Sequence, residues 1–341
     1  MASYISNPLT NFLELFTSHT HKPVVLTGDV DITQMAEHVV DVVDPRIRVI
    51  GRYARKLSQP LSHTWDYLTE MANLIPGGVT IDRENFSNNP HMKLLFESQS
   101  GLQQLLDTID TLLPHHIHDA TYNDRPDSQL YMLLCMEKRE RNFLGTELAG
   151  DIIKRDVMQT SVTFSNRKFL SAGYNEEDAK LGFKRCALEG LLHKTHGLIM
   201  QSRNEEKQLI ARKKQLRQQL HTVHDSKYKQ DNSLFSHKDH LTDTHPELVD
   251  IERQLTEIRL KSESPSHHLS QVIETLMHPE HHLKMEKQSL TLSNLGIKLQ
   301  DNTGEKGIKI EYADVEIEQS LKRTAMIVSS STKDIFPHKI H

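Results

Sequence analysis

The chain has 341 residues, with 41 basic and 46 acidic side chains for a formal net charge of −5. Its apolar share, about 38% when Gly is counted in place of Tyr, falls below the usual 45–50%, and sparse Gly and Pro exclude collagen-like and low-complexity chains and disfavour a turn-rich all-β fold. Two cysteines without CxxC spacing, Cys135 and Cys186, exclude a disulfide framework and a Cys-based zinc site.

Residues 1–145 read as a helical domain built from short amphipathic helices. Pro8 opens one carrying Leu9, Phe12, Leu13 and Phe16, and Val24-Val25-Leu26 reads as a short strand. Asp29 and Asp31 precede a helix with Met35, Ala36, Val39 and Val40; Pro45 opens the next, with Ile47, Ile50, Ala54 and Leu57 at helical spacing. Trp65, Leu68, Ala72 and Ile75 form a third stripe stopped by Pro76-Gly77-Gly78. Leu102, Leu105, Leu106, Ile109 and Leu113 form a fourth, stopped by Pro114. A helix from Pro126 to Leu144, with Leu130, Leu133 and Leu134 inward, completes this part.

A connecting segment, 146–174, holds an expected strand over 157–165, where Val157, Val162 and Phe164 stand among threonines. Asn175, three residues before Asp178, starts a long helix. Its seven-residue step gives Leu181, Leu188, Thr195, Ser202, Leu209, Leu216 and Val223, a seam only partly apolar, so the coiled-coil character is discontinuous. The polar stretch 225–245 reads as a tip, and Pro246 begins a return helix in which Leu248, Ile251, Leu255 and Ile258 step by three and four. Residues 175–264 thus form an antiparallel helical hairpin. In 265–341 a short helix near 266–277 precedes alternating Leu290, Leu292, Ile297, Leu299, a turn at Asn302-Thr303-Gly304, alternating Ile308, Ile310, Tyr312, and the apolar run Ala325–Val328: a small antiparallel meander. The fold expected is mainly α with a minor β part.

Val24 to Thr33 resembles the strand and D-x-D-x-T with which haloacid-dehalogenase-type phosphohydrolases present a nucleophilic and an acid/base carboxylate at a Mg²⁺ site. The parallel strands such a fold needs are missing from the pattern, and Asp29 and Asp31 are read as helix-capping acids. Neither GxxxxGK[ST] nor GxGxxG occurs, which argues against an NTPase.

Two basic faces can track phosphates: Arg46, Arg48, Arg52, Arg55 and Lys56, and Arg203, Lys207, Arg212, Lys213, Lys214 and Arg217. The ordinary alternative is a solvated face paired with acids, and no aromatic residues are interleaved. Histidine is over-represented, 22 residues with six pairs at H-x-x-H spacing where chance gives about one or two. Most are expected to be solvated. The candidate transition-metal cluster is His278, His281 and His282, near His267 and His268; neither HExxH nor a zinc-deaminase signature accompanies it.

The function expected is a non-catalytic scaffold or adaptor acting through helix–helix contacts, with a partner or a second copy, at Leu209, Leu216, Leu220, Leu248, Ile251, Leu255 and Ile258; these residues have the alternative role of closing the hairpin on itself. Nucleic-acid or anionic-surface binding by the basic faces is the alternative, and a metal-dependent enzyme comes last. No cofactor other than a transition metal is implied. No apolar run reaches the roughly 18–20 residues that span a bilayer, and Glu14 among the first apolar residues, with no basic residue before it, does not match a secretory signal, so a soluble cytoplasmic protein is expected.

Overall fold

The structure, a computed structural model, describes residues 31–112, 128–149, 152–228, 245–299, 307–318 and 321–335. The helix expected after Pro8, the strand at Val24, Asp29, the Leu113-Pro114 stop and most of the 225–245 tip lie outside them. In chain order the elements are α1 (Ile32–Val43), a 3-10 turn (Pro45–Val49), α2 (Tyr53–Leu74), β1 (Val79–Ile81), α3 (Pro90–Leu95), α4 (Gln99–Asp107), α5 (Ile109–Leu112), β2 (Gln129–Ala149), β3 (Ile152–Gly173) and α6 (Glu176–Tyr228). They continue with α7 (Pro246–Ser262), α8 (Pro265–Met277), a second 3-10 turn (Pro279–His281), β4 (Leu283–Leu292), β5 (Ile308–Ile317), β6 (Leu321–Ser331) and α9 (Thr332–Ile335).

Two compact units emerge, one holding Gly28–Ser62 and Gly190–Met277, the other His63–Glu189 and His278–His341. The first is helical. Asp31 caps α1 by accepting the Thr33 N–H at 2.8 Å, the role its short side chain suits best before a helix. Met35, Ala36, Val39, Val40 and Val43 are its buried stripe. Helix α7 runs antiparallel to α6: Glu206 pairs with Arg259 at 3.2 Å and Lys213 with Glu252 at 2.6 Å, so advancing along one helix retreats along the other. Leu248, Ile251 and Leu255 are buried in that arrangement.

The second unit is built on a six-stranded sheet of order β3-β2-β6-β5-β4, with β1 parallel to β6 and every other pairing antiparallel. Strand β6 is flanked along one side by β2, from Gln129↔Ser331 to Met136↔Thr324. Its other side is shared end to end, by β5 at Leu321–Ala325 and by β1 at Val328–Ser330. One face carries Leu130, Met132, Leu134, Met136, Val162, Phe164, Leu290, Leu292, Ile310, Tyr312, Met326 and Val328, packed with Met92, Leu95, Phe96, Leu102, Leu106 and Ile109 from the α3–α5 region. Alternation sends Leu133, Cys135, Ala313, Val315, Ala325 and Ile327 to the opposite face, where they too are buried. Near that face α6 crosses β3 so closely that a Cβ on Gly182 would lie 2.1 Å from the Cβ of Ser171. Residues 293–299 bridge the sheet edges: the Gly296 carbonyl accepts from Val162 N–H at 2.8 Å, Lys298 N–H donates to Thr160, and Ser293 N–H donates to Ile297. Gly296 takes φ +75 there, a conformation that favours glycine.

This sheet corrects the expected fold class. The chain is not mainly α with a minor β part, because the residues expected to form a helix over 126–144 are β2, and the strand expected over 157–165 is the middle of the much longer β3. Leu130, Leu133 and Leu134 fit a helical face, but in the strand Leu130 and Leu134 lie on one face and Leu133 on the other, and because both faces are covered the alternation of polarity disappears. The meander of β4, β5 and β6 is thus one part of a larger sheet.

Helix and strand place Met132 differently: opposite the leucine stripe in a helix, fully buried in β2. Met132→Glu is therefore expected to abolish cooperative unfolding of the second unit, whereas Ser161→Glu, on the same hairpin but partly exposed, should shift stability by less than about 0.5 kcal/mol. Urea denaturation followed by circular dichroism checks this; a cooperative, wild-type-like transition for Met132→Glu would refute the strand assignment.

Candidate functional site

The most highly charged buried site in the first unit centres on Asp44, which ends α1 and caps the following 3-10 turn. Its carboxylate accepts from the Arg46 backbone N–H at 3.1 Å, the Arg46 guanidinium at 2.9 and 3.1 Å, Arg203 Nη2 at 3.2 Å and His268 Nδ1 at 2.7 Å. The same cations reach the end of α7: Arg46 Nη2 and Arg203 Nε donate to the Ser262 carbonyl at 3.5 and 3.4 Å, and Ser262 Oγ donates to Glu206 at 2.7 Å. Carbonyls that the last turn of α7 leaves without helical partners are thereby satisfied. Arg203 and Glu206 stand a turn apart on α6, so the cluster ties α1, the 3-10 turn, α6, α7 and α8 together.

Burial pushes the Asp44 carboxyl up, but the Arg46 side chain and N–H, together with His268, outweigh it and bring the pKa down to about 2. Burial pushes the His268 imidazole below its ordinary value, opposed by Asp44 and the Lys261 carbonyl. An aspartate on the Nδ1 of a buried histidine is also the orienting pair of a catalytic triad. Here Nε2 faces the Lys261 carbonyl at 2.9 Å and the ring is fully buried. Both ring nitrogens are thus taken up, and Nε2 reaches no nucleophile among the described residues. The arrangement is a structural clamp.

The candidate metal residues are placed differently. His278 and His281 stand together with Glu280, their donor atoms mutually within 4.8 Å, while His282 Nδ1 bonds Glu318 Oε1 at 2.9 Å. His268 belongs to the Asp44 clamp. Of the other H-x-x-H pairs, His196 bonds the Val43 carbonyl at 2.9 Å, while the pairs 115/118, 237/240 and 338/341 lie outside the described residues.

The basic faces are committed in part. Arg46 and Arg203 serve Asp44, Arg48 pairs with Glu37 and Asp41 at 3.2 and 2.7 Å, and Lys213 and Arg217 reach Glu252 at 2.6 and 3.5 Å. Arg52, Arg55, Lys56, Lys207, Arg212 and Lys214 make no ion pair among the described residues. On the hairpin, Leu248, Ile251 and Leu255 are buried, and Leu209, Leu216, Leu220 and Ile258 are half-buried.

Sequence reasoning missed a long two-stranded ribbon. Beyond Met136, β2 leaves β6 and continues with β3 alone. Leu144 and Met158 face each other across the strands, 64% and 67% exposed. On the opposite face the Phe143 ring lies against Gly145, where a Cβ would stand 3.1 Å from it and 2.0 Å from Gln159 Oε1. The alternation Arg139, Arg141, Phe143 was the available signal, hidden beneath the helical reading. Comparison with models of protein families, with curated proteins and with solved structures finds no match to this chain.

The lowered pKa of Asp44 sets a pH window. Its folded value of about 2 lies below the ordinary aspartate value of about 3.9, so the stability it contributes is present above about pH 4 and is lost as pH falls through about 2. The linkage amounts to about 2 kcal/mol. Asp44→Asn, which removes the buried carboxylate that the partly exposed Arg46 and Arg203 share, is expected to destabilise by about 2 kcal/mol at pH 7, with the gap to wild type narrowing below pH 4. Urea denaturation at pH 7, 5 and 3 measures it; a gap that stays constant down to pH 3 and below would contradict the clamp.

Proposed function

We propose that the protein is a non-catalytic cytoplasmic scaffold that acts by protein–protein contact and pairs with a second copy through the β2–β3 ribbon. The observation that carries this reading is the Leu144–Met158 pair: two large apolar side chains, directly opposed and mostly exposed, on a ribbon whose β2 strand leaves the sheet after Met136. Isolated two-stranded ribbons are marginal in water, so covering one side contributes stability to the ribbon as well as to the complex. Arg139, Arg141, Lys154 and Arg155 alongside Glu140, Glu147 and Asp156 leave the ribbon near neutrality, so like ribbons are not driven apart. Cys135 and Cys186 are both free thiols, which supports a reducing compartment. No helix among the described residues is long and apolar enough to cross a membrane.

The proposal shifts contact from the helical hairpin to the ribbon, because Leu248, Ile251 and Leu255 are buried within their own unit. Anionic-surface binding draws less support, since pairing of Arg46, Arg48, Arg203, Lys213 and Arg217 with carboxylates breaks up both basic faces and leaves Arg52, Arg55, Lys56, Lys207, Arg212 and Lys214 as separated cations. Light scattering over a wide concentration range is the test. Wild type is expected as a dimer and Leu144→Glu/Met158→Glu as a monomer, with thermal unfolding of the dissociated protein unchanged. A wild type that stays monomeric, or a variant that still dimerises, would overturn the reading.

A further inference from the structure

The short turn between α8 and β4 places three donor side chains at one point. Pro279 opens the 3-10 turn and is buried, which anchors it. Three residues per turn make positions i and i+3 eclipse, and the His278 and His281 rings accordingly stack, with centroids 5.2 Å apart and planes at 16°. Glu280 joins them: His278 Nδ1 lies 3.3 Å from its Oε1.

The backbone around the cluster is fixed on both sides. His281 N–H donates to the His278 carbonyl at 3.2 Å, His282 N–H to Pro279 at 3.0 Å, and Glu318 N–H to the His282 carbonyl at 2.9 Å. His282 turns away to the Glu318 side chain, and the Tyr67 hydroxyl donates to the Leu283 carbonyl at 2.7 Å. The turn is therefore held by its flanks and does not rely on the three donor side chains, which remain partly exposed.

We propose that His278, Glu280 and His281 form a binding site for a borderline divalent transition metal, zinc foremost, with water completing a tetrahedral set. Two imidazoles and one carboxylate suit zinc and its late first-row neighbours, whereas magnesium and calcium need more oxygen ligands than this turn supplies. Tetrahedral zinc spaces its ligands about 3.3 Å apart. The present separations, all within 4.8 Å, close to that value by rotation of half-exposed side chains.

Other histidines supply a background, so the test must locate the ion. Zinc is titrated calorimetrically into the full chain at pH 7.5, and the tetrahedral absorption of cobalt is read in parallel. Wild type is expected to show one site above the background. His278→Ala/His281→Ala should lose at least tenfold in affinity together with the cobalt bands, Glu280→Gln should lose a smaller factor, and His282→Ala should retain the site. Matched thermal unfolding in chelator shows that the variants remain folded. Absence of a stoichiometric site in wild type, or its persistence in His278→Ala/His281→Ala, would overturn the proposal.

Discussion

Strand β6 is the constraint on which the second unit depends. It is bonded along one side to β2, nearly two hundred positions earlier in the chain, and along the other to both β5 and β1. Its edges are thus fully paired, and both of its faces are covered too: Ala325-Met326-Ile327-Val328 is an unbroken apolar run, all of it buried. Once β6 is inserted, β2 must supply two apolar faces as well, which it does with Leu130, Met132, Leu134 and Met136 on one side and Leu133 and Cys135 on the other. Past Met136 there is no β6 to satisfy, and the sequence turns polar while β2 and β3 remain paired with each other.

The first unit is governed by charge. Asp44 ends one helix and starts a turn, so backbone geometry already fixes its position; Arg46, Arg203 and His268 converge on it from three other elements. A carboxylate so placed is costly to bury and costly to disturb, because its partners would be left as uncompensated charges. Its contribution is to register, holding the end of α7 and the start of α8 against α1 and α6. Surface pairs such as Arg253 with Asp250 and Glu257 add little by comparison.

What was legible in the sequence follows from these environments. Ile308, Ile310 and Tyr312 alternate cleanly, and the meander strand containing them was readable; so were the stripe of α1 and the Asn175 cap, whose Oδ1 accepts the Asp178 N–H at 2.8 Å. Strand β2 was not, because three leucines at helical spacing coincided with a strand covered on both sides. The Asp44–His268 contact could not be read from spacing at all, since its partners lie 224 positions apart. The signals available were an Asp-Pro step at the start of a turn and a histidine adjoining the apolar stripe Leu269, Val272 and Leu276. His278 and His281 were legible as a pair from their spacing; that Glu280 stands beside them, while His282 bonds Glu318, was not.

The functional account rests on the ribbon being an ordered element that gains cover from a second copy. Amide hydrogen exchange across residues 137–165, measured at low and high protein concentration, tests this directly. The account predicts that amides around Leu144 and Met158 become more protected as concentration rises, while those of the α6–α7 hairpin do not change. Exchange in the ribbon that is fast and independent of concentration would contradict it.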